Sequence, residues 1–164
     1  MQPYSFSSAR ELFESAREAS KDAERIRRQL LAMEARATSL GAGGLGPRVA
    51  STPNPQRMAD AVGAMVDREA ALERRQAEDY DLIDFACTVL YGREQDGSGG
   101  LWSLVGWRAD ALALHYLDDL PWSKVAERLC YSESYVKQQA RAALDTADGW
   151  GIPRVVLGLG AAET

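Results

Sequence analysis

The chain has 164 residues, 46% of them hydrophobic, and a formal net charge of −5. That length holds one domain or two small ones, and the composition suits an ordered protein, although much of its apolar content is alanine, which favours helices and fills little volume. Acid is concentrated between Arg57 and Gly100, which carries −5 against +2 for residues 1–56 and −2 for residues 101–164.

No apolar run approaches the roughly 20 residues needed to cross a bilayer, and the N-terminus lacks the charged start and apolar core of a secretory leader. No membrane partner is expected. Cys87 and Cys130 are far apart and form no CxxC pair, which reads most simply as a reduced, cytoplasmic setting with both thiols acting as small apolar side chains. His115 is the sole histidine and no cysteine cluster accompanies it, so no zinc site is expected. The Gly41 to Gly46 run lacks the GK[ST] ending of a phosphate loop, and no nucleophile–base pairing is suggested. Neither a cofactor nor enzyme activity is expected.

In chain order, Ser7 or Ser8 can cap a first helix. Leu12, Ala16, Ala19, Ala23, Ile26, Leu30, Met33, Ala37 and Leu40 recur at alternating spacings of four and three, the pattern of a heptad seam. Its alanines make the seam narrow. Residues 41–56 (GAGGLGPRVASTPNPQ), with four glycines and three prolines, stop that helix. A second pattern runs from Arg57 to about Tyr91, with Met58, Val62, Met65, Leu72, Ile83 and Leu90 on its seam. The two predict an antiparallel hairpin over residues 1–91. Arg25, Arg27, Arg28 and Arg36 of the first helix can face Glu73, Glu78, Asp79, Asp81 and Asp84 of the second. Pairing of the first helix with its copy in another subunit is the alternative, and a hairpin with so little core predicts a homodimer or docking onto the rest of the chain. The arginines could also form a nucleic-acid patch, but equally spaced glutamates dilute it.

Residues 92–100 (GREQDGSGG) read as a flexible linker. From Leu101 an apolar stretch through Leu117 predicts a helix that packs under the next two. Pro121 to Leu144 (PWSKVAERLCYSESYVKQQARAAL) carries two short helical patterns joined by a tight break. Val125, Ala126 and Leu129 share one face of the first; Val136, Ala140, Ala143 and Leu144 share one face of the second. Pro121 falls at or near the start of the first helix, and Ser132 is a good cap for the second. Tyr131 and Val136 are spaced to form a hydrophobic staple. This is a helix-turn-helix pattern, whose second helix can enter the major groove of DNA; an ordinary helical hairpin with a solvated polar face is the alternative. Opposite the apolar stripe stand Ser134, Gln138 and Arg141, with Lys137 at the edge, side chains able to bond base edges or phosphates; Tyr135 is a further DNA-binding candidate, and Lys124 and Arg128 are placed for phosphates or polymerase. Residues 121–148 hold as many acids as bases, so modest affinity per subunit is expected, helped by dimerisation or a partner. Residues 150–164 show no helical period; Trp150, Ile152, Val155, Val156 and Leu157 are expected to close the small core, with a partner-docking role as the alternative.

ALALHYLDDLPWSKVAERLCYSESYVKQQARAAL resembles region 4 of bacterial primary sigma factors, with Val125-Ala126, Ser132 and Val136-Lys137-Gln138 at the matching positions. Cys130 stands where a glycine is usual and Pro121 where a capping Thr or Ser is usual, which puts the turn geometry in question. From Leu12 to Ala147 the chain is more closely similar to a family of small phage and prophage proteins, through Ala37-Thr38-Ser39-Leu40, Arg57-Met58-Ala59-Asp60-Ala61-Val62 and the His115 to Ser132 segment. That resemblance implies an all-α protein: a helical hairpin (1–91), a linker (92–100), a helix-turn-helix domain (101–149) and an apolar tail (150–164). It also implies a transcriptional role like that of late-gene activators in the cytoplasm of a bacterial host. Double-stranded DNA is the implied partner, and host RNA polymerase a further candidate. A coiled-coil interaction protein whose helix-turn-helix does not touch DNA, or a small terminase-like packaging subunit, are the other readings.

Overall fold

The computed structural model describes residues 4–42 and 54–158, and among them every regular element is a helix. In order these are α1 (Ala9–Ala42), α2 (Pro55–Tyr91), α3 (Gly100–Val105), α4 (Trp107–Leu112) continuing as a π-helical turn (Ala113–Leu117), α5 (Trp122–Leu129), α6 (Glu133–Trp150) and α7 (Ile152–Leu157). None of them is long and apolar enough to cross a membrane. They group into two compact units, divided after Lys21 in α1 and before Asp79 in α2.

The first unit contains the start of α1, the end of α2 and everything after it. Leu12, Phe13 and Ala16 of α1 and Ala86, Val89 and Leu90 of α2 are buried in one cluster with Leu101, Leu112, Ala140, Leu144 and Val155. The expected boundary at residues 92–100 therefore does not separate two cores. That segment is a tight turn and not the flexible linker its composition suggested. Gly92 N–H bonds Thr88 O at 2.8 Å, Gly97 N–H bonds Tyr91 O at 3.0 Å, and the Gln95 side chain bonds Asp84. Gly100 sits at φ +71°, and a Cβ there would lie 2.3 Å from Gly92 N. Glycine is used here for close backbone approach rather than for slackness.

The apolar stretch from Leu101 is broken into α3 and α4 at Gly106, whose φ of +60° ends the first helix. A second buried cluster, Ala111, Val125, Ala126 and Val136, sits under the helix-turn-helix. The C-terminal segment differs from expectation in forming a helix, α7, started by Pro153 near its first turn. Val155 is fully buried and Ile152 and Val156 pack on the core, so this part closes it, while Trp150 and Leu157 stay exposed. Residues 159–164 lie outside the described residues.

The second unit is the remaining length of α1 and α2, with residues 43–53 outside the described residues. Ala23 and Ile26 are buried as the seam predicts, Leu30 and Met33 are half-buried, and Ala37 is exposed; the side chain of Leu40 lies outside the described residues. On α2, Met65 and Leu72 are half-buried, but Met58 and Val62 are 66% and 58% exposed. Two helices alone cannot cover both sides of each other's apolar stripe. Arg25 pairs with Asp22, and Arg27 and Arg28 both pair with Glu24, one turn away on their own helix, lowering that carboxyl to about 2. An ion pair between the two helices has the opposite polarity to the expected one: Arg75 of α2 reaches Asp22 of α1 at 2.6 Å. Beside it the Gln76 amide donates to Ala23 O at 3.3 Å. Arginine four or three residues from an acid finds that partner with little ordering cost.

Candidate nucleic-acid interface

The turn between α5 and α6 is built from local chemistry. Pro121 caps α5 with extended backbone (φ −65°, ψ 150°), and its carbonyl accepts from Lys124 and Val125 N–H. At the other end Cys130 adopts the left-handed conformation (φ 58°, ψ 38°), and Tyr131 N–H bonds back to Ala126 O at 3.1 Å. The turn is thus the glycine-type helix ending, formed with a cysteine in the glycine position. Cys130 is exposed, not the apolar filler expected; Cys87 is partly buried. Ser132 then caps α6, its hydroxyl accepting from Tyr135 N–H at 3.4 Å.

Val136, Ala140, Ala143, Leu144 and Ala147 form the buried stripe of α6. The helix runs six residues beyond Leu144, and Ala147 extends the stripe. On the outward side Ser134, Gln138 and Arg141 are exposed, and with Lys137, Ala142 and Asp145 they line a shallow depression of about 460 Å³. Neither Gln138 nor Arg141 makes a side-chain hydrogen bond or ion pair among the described residues. Lys137 is half-buried and tied to Glu133 one turn back. Lys124 is exposed and pairs with Glu127 at 2.7 Å, which holds that carboxyl below its ordinary range; Arg128 is exposed with no ion pair among the described residues. The structure therefore brings Ser134, Lys137, Gln138 and Arg141 to one face of α6. Lys124 and Arg128 lie on α5 and outside that depression.

Compared with known proteins, the chain matches no family model, no curated protein and no solved structure.

Tyr135 plays a different structural part from the other candidates. Its ring lies 5.4 Å from Tyr131 and 6.1 Å from Trp107, and Tyr131 in turn stacks on Trp107 at 4.7 Å. Tyr131 joins this aromatic group, while Val136, its expected staple partner, is buried with Ala111, Val125 and Ala126. The spacing of Tyr131 and Tyr135, four residues apart across a helix start, is legible in the sequence. Nothing in the sequence points to Trp107, which arrives from α4.

Beneath α5 the buried His115 is held on both ring nitrogens. Nδ1 donates to Leu120 O at 2.8 Å, Nε2 accepts from Arg17 at 3.2 Å, and the ring stacks on Trp122 at 3.8 Å. Arg17 is anchored by Asp119 at 2.6 Å. Burial, outweighing the Leu120 carbonyl, keeps His115 below its ordinary pKa and hence neutral. The only histidine serves as a strut between α1 and the turn that leads into α5.

Proposed function

We propose that this chain is a sigma region 4-like, DNA-binding transcription regulator encoded by a phage or prophage, acting as an activator of late genes in the host cytoplasm. One observation carries the reading. The second helix of a capped helix-turn-helix buries its aliphatic stripe and leaves Gln138 and Arg141 exposed and uncommitted on the opposite face. Gln and Arg are the side chains that bond bidentately to adenine and guanine edges in the major groove. Ser134 joins them on that face, and Lys137 stands at its edge. Lys124 and Arg128 serve phosphates or host RNA polymerase, and the N-terminal helices join two copies.

The test is Gln138→Ala combined with Arg141→Ala, assayed on duplexes the protein enriches from a random-sequence pool. Specific binding is expected to vanish, since each bidentate contact carries about 1–3 kcal/mol of discrimination, while circular dichroism stays unchanged. Retention of specific binding in the folded double variant refutes the assignment.

A second reading, a coiled-coil interaction or assembly protein, is favoured by the apolar residues exposed on the long helices, Leu31, Met58, Val62 and Val66. It is separated from the first by the absence of any duplex binding at low salt. A ring-sized particle in light scattering would favour a terminase-like subunit instead.

A further inference from the structure

We propose that Tyr131 and Tyr135, held as one unit by Trp107, bind the sugar–phosphate backbone beside the groove that α6 enters. The inference rests on the DNA-binding reading and names a set of contacts that the charge of the domain does not supply. Tyr131 and Tyr135 are 47% and 40% exposed, yet their rings are ordered against each other and against Trp107 at 4.7 to 6.1 Å. Neither hydroxyl has a hydrogen-bond partner among the described residues. Exposed tyrosines already fixed in a stack lose little freedom when they dock, and a phenol can donate to a phosphate oxygen. Their position suits that partner. Tyr135 lies one helical turn before Gln138 and on the flank of the outward face away from Lys137, so a duplex seated on Gln138 meets lysine on one side and tyrosine on the other. The bases around the turn are matched by acids, with Lys124 and Lys137 both tied to glutamates. Neutral hydroxyl contacts supply backbone affinity without requiring a basic footprint.

The test uses the full chain and the Tyr131→Phe/Tyr135→Phe double variant, which keeps both rings and removes only the hydroxyls. Anisotropy titrations are run on a labelled duplex enriched from a random pool and on its scrambled counterpart. Affinity is expected to fall about three- to tenfold on both duplexes, as loss of one or two hydrogen bonds implies. The slope of log affinity against log salt should stay unchanged, whereas Arg128→Ala should reduce it by about 0.9 for the one phosphate charge lost. Unaltered affinity in the double Phe variant, with the enriched duplex still bound, overturns the inference and leaves the DNA-binding reading standing; a site for an apolar protein partner would give that result. A pool that enriches nothing overturns both.

Discussion

Asp148 Oδ1 accepts a 2.6 Å hydrogen bond from the backbone N–H of Ala9, joining residues 139 positions apart in sequence. A carboxylate near the end of α6 thus caps the start of α1, where unpaired N–H groups and the helix dipole both favour negative charge. Ser8 supplies a second cap within the same turn, its hydroxyl accepting from Glu11 N–H at 3.2 Å, while the Glu11 carboxylate takes Ser7 N–H and Oγ. The candidate recognition helix and the first helix are fastened at their ends as well as through the core.

Asp148→Ala should lower unfolding stability by about 1–2 kcal/mol, the range for loss of a helix cap. Urea denaturation followed by circular dichroism checks this. A change below a few tenths of a kcal/mol would mean that Ser8 and water satisfy the helix start without Asp148.

Cys130 occupies a left-handed position that costs an L-residue roughly 1–2 kcal/mol. Cys130→Gly removes that strain but adds freedom to the unfolded chain, so the expected net gain is small, about 0–1 kcal/mol. Cys130→Val, β-branched and unsuited to positive φ, should destabilise by more than roughly 1 kcal/mol. Thermal midpoints in the order Gly, Cys, Val from highest to lowest support the turn geometry. The reverse order contradicts it.

His115 predicts a pH dependence with a definite sign. Its pKa in the folded chain lies below the ordinary 6.5, so the unfolded chain binds more protons as pH falls past that value. Stability contributed by the neutral ring is complete above about pH 7 and declines on acidification from about 6.5 toward the folded pKa. His115→Gln should be less stable than the parent at pH 7.5 by about 1–3 kcal/mol, because Arg17 and Leu120 O lose well-placed partners. The difference should narrow as pH falls below about 6.5. Parallel stability curves for the two proteins over that range would show that His115 does not titrate with folding.

The long helices carry a separate expectation. Val62 and Val66 are 58% and 57% exposed on α2, one turn apart. If two copies associate through these helices, Val62→Lys with Val66→Lys should convert a dimer to a monomer in sedimentation equilibrium while helicity is retained. A particle of unchanged mass would place the association elsewhere.

The sequence by itself determined the elements whose causes are local. The all-α class, the Ser132 cap and the separation of buried stripe from polar face on α6 each follow from residues within a few positions of one another. Periodicity and capping act over that range. Tertiary structure decided whatever depends on which surfaces meet. The sequence shows glycines in residues 92–100 but not that Gly100 is pressed against Gly92, so composition suggested a linker where the chain makes a packed corner. It shows a seam on α2 but not that Met58 and Val62 stay exposed among the described residues while Val89 and Leu90 share a core with α6. It shows arginines and acids on both long helices, but not that Arg75 of α2 reaches Asp22 of α1. Trp107 beneath the two tyrosines, Asp148 over Ala9 and Arg17 against His115 are contacts across 24 to 139 residues. Burial and hydrogen bonding set them in three dimensions, and no spacing rule along the chain encodes them.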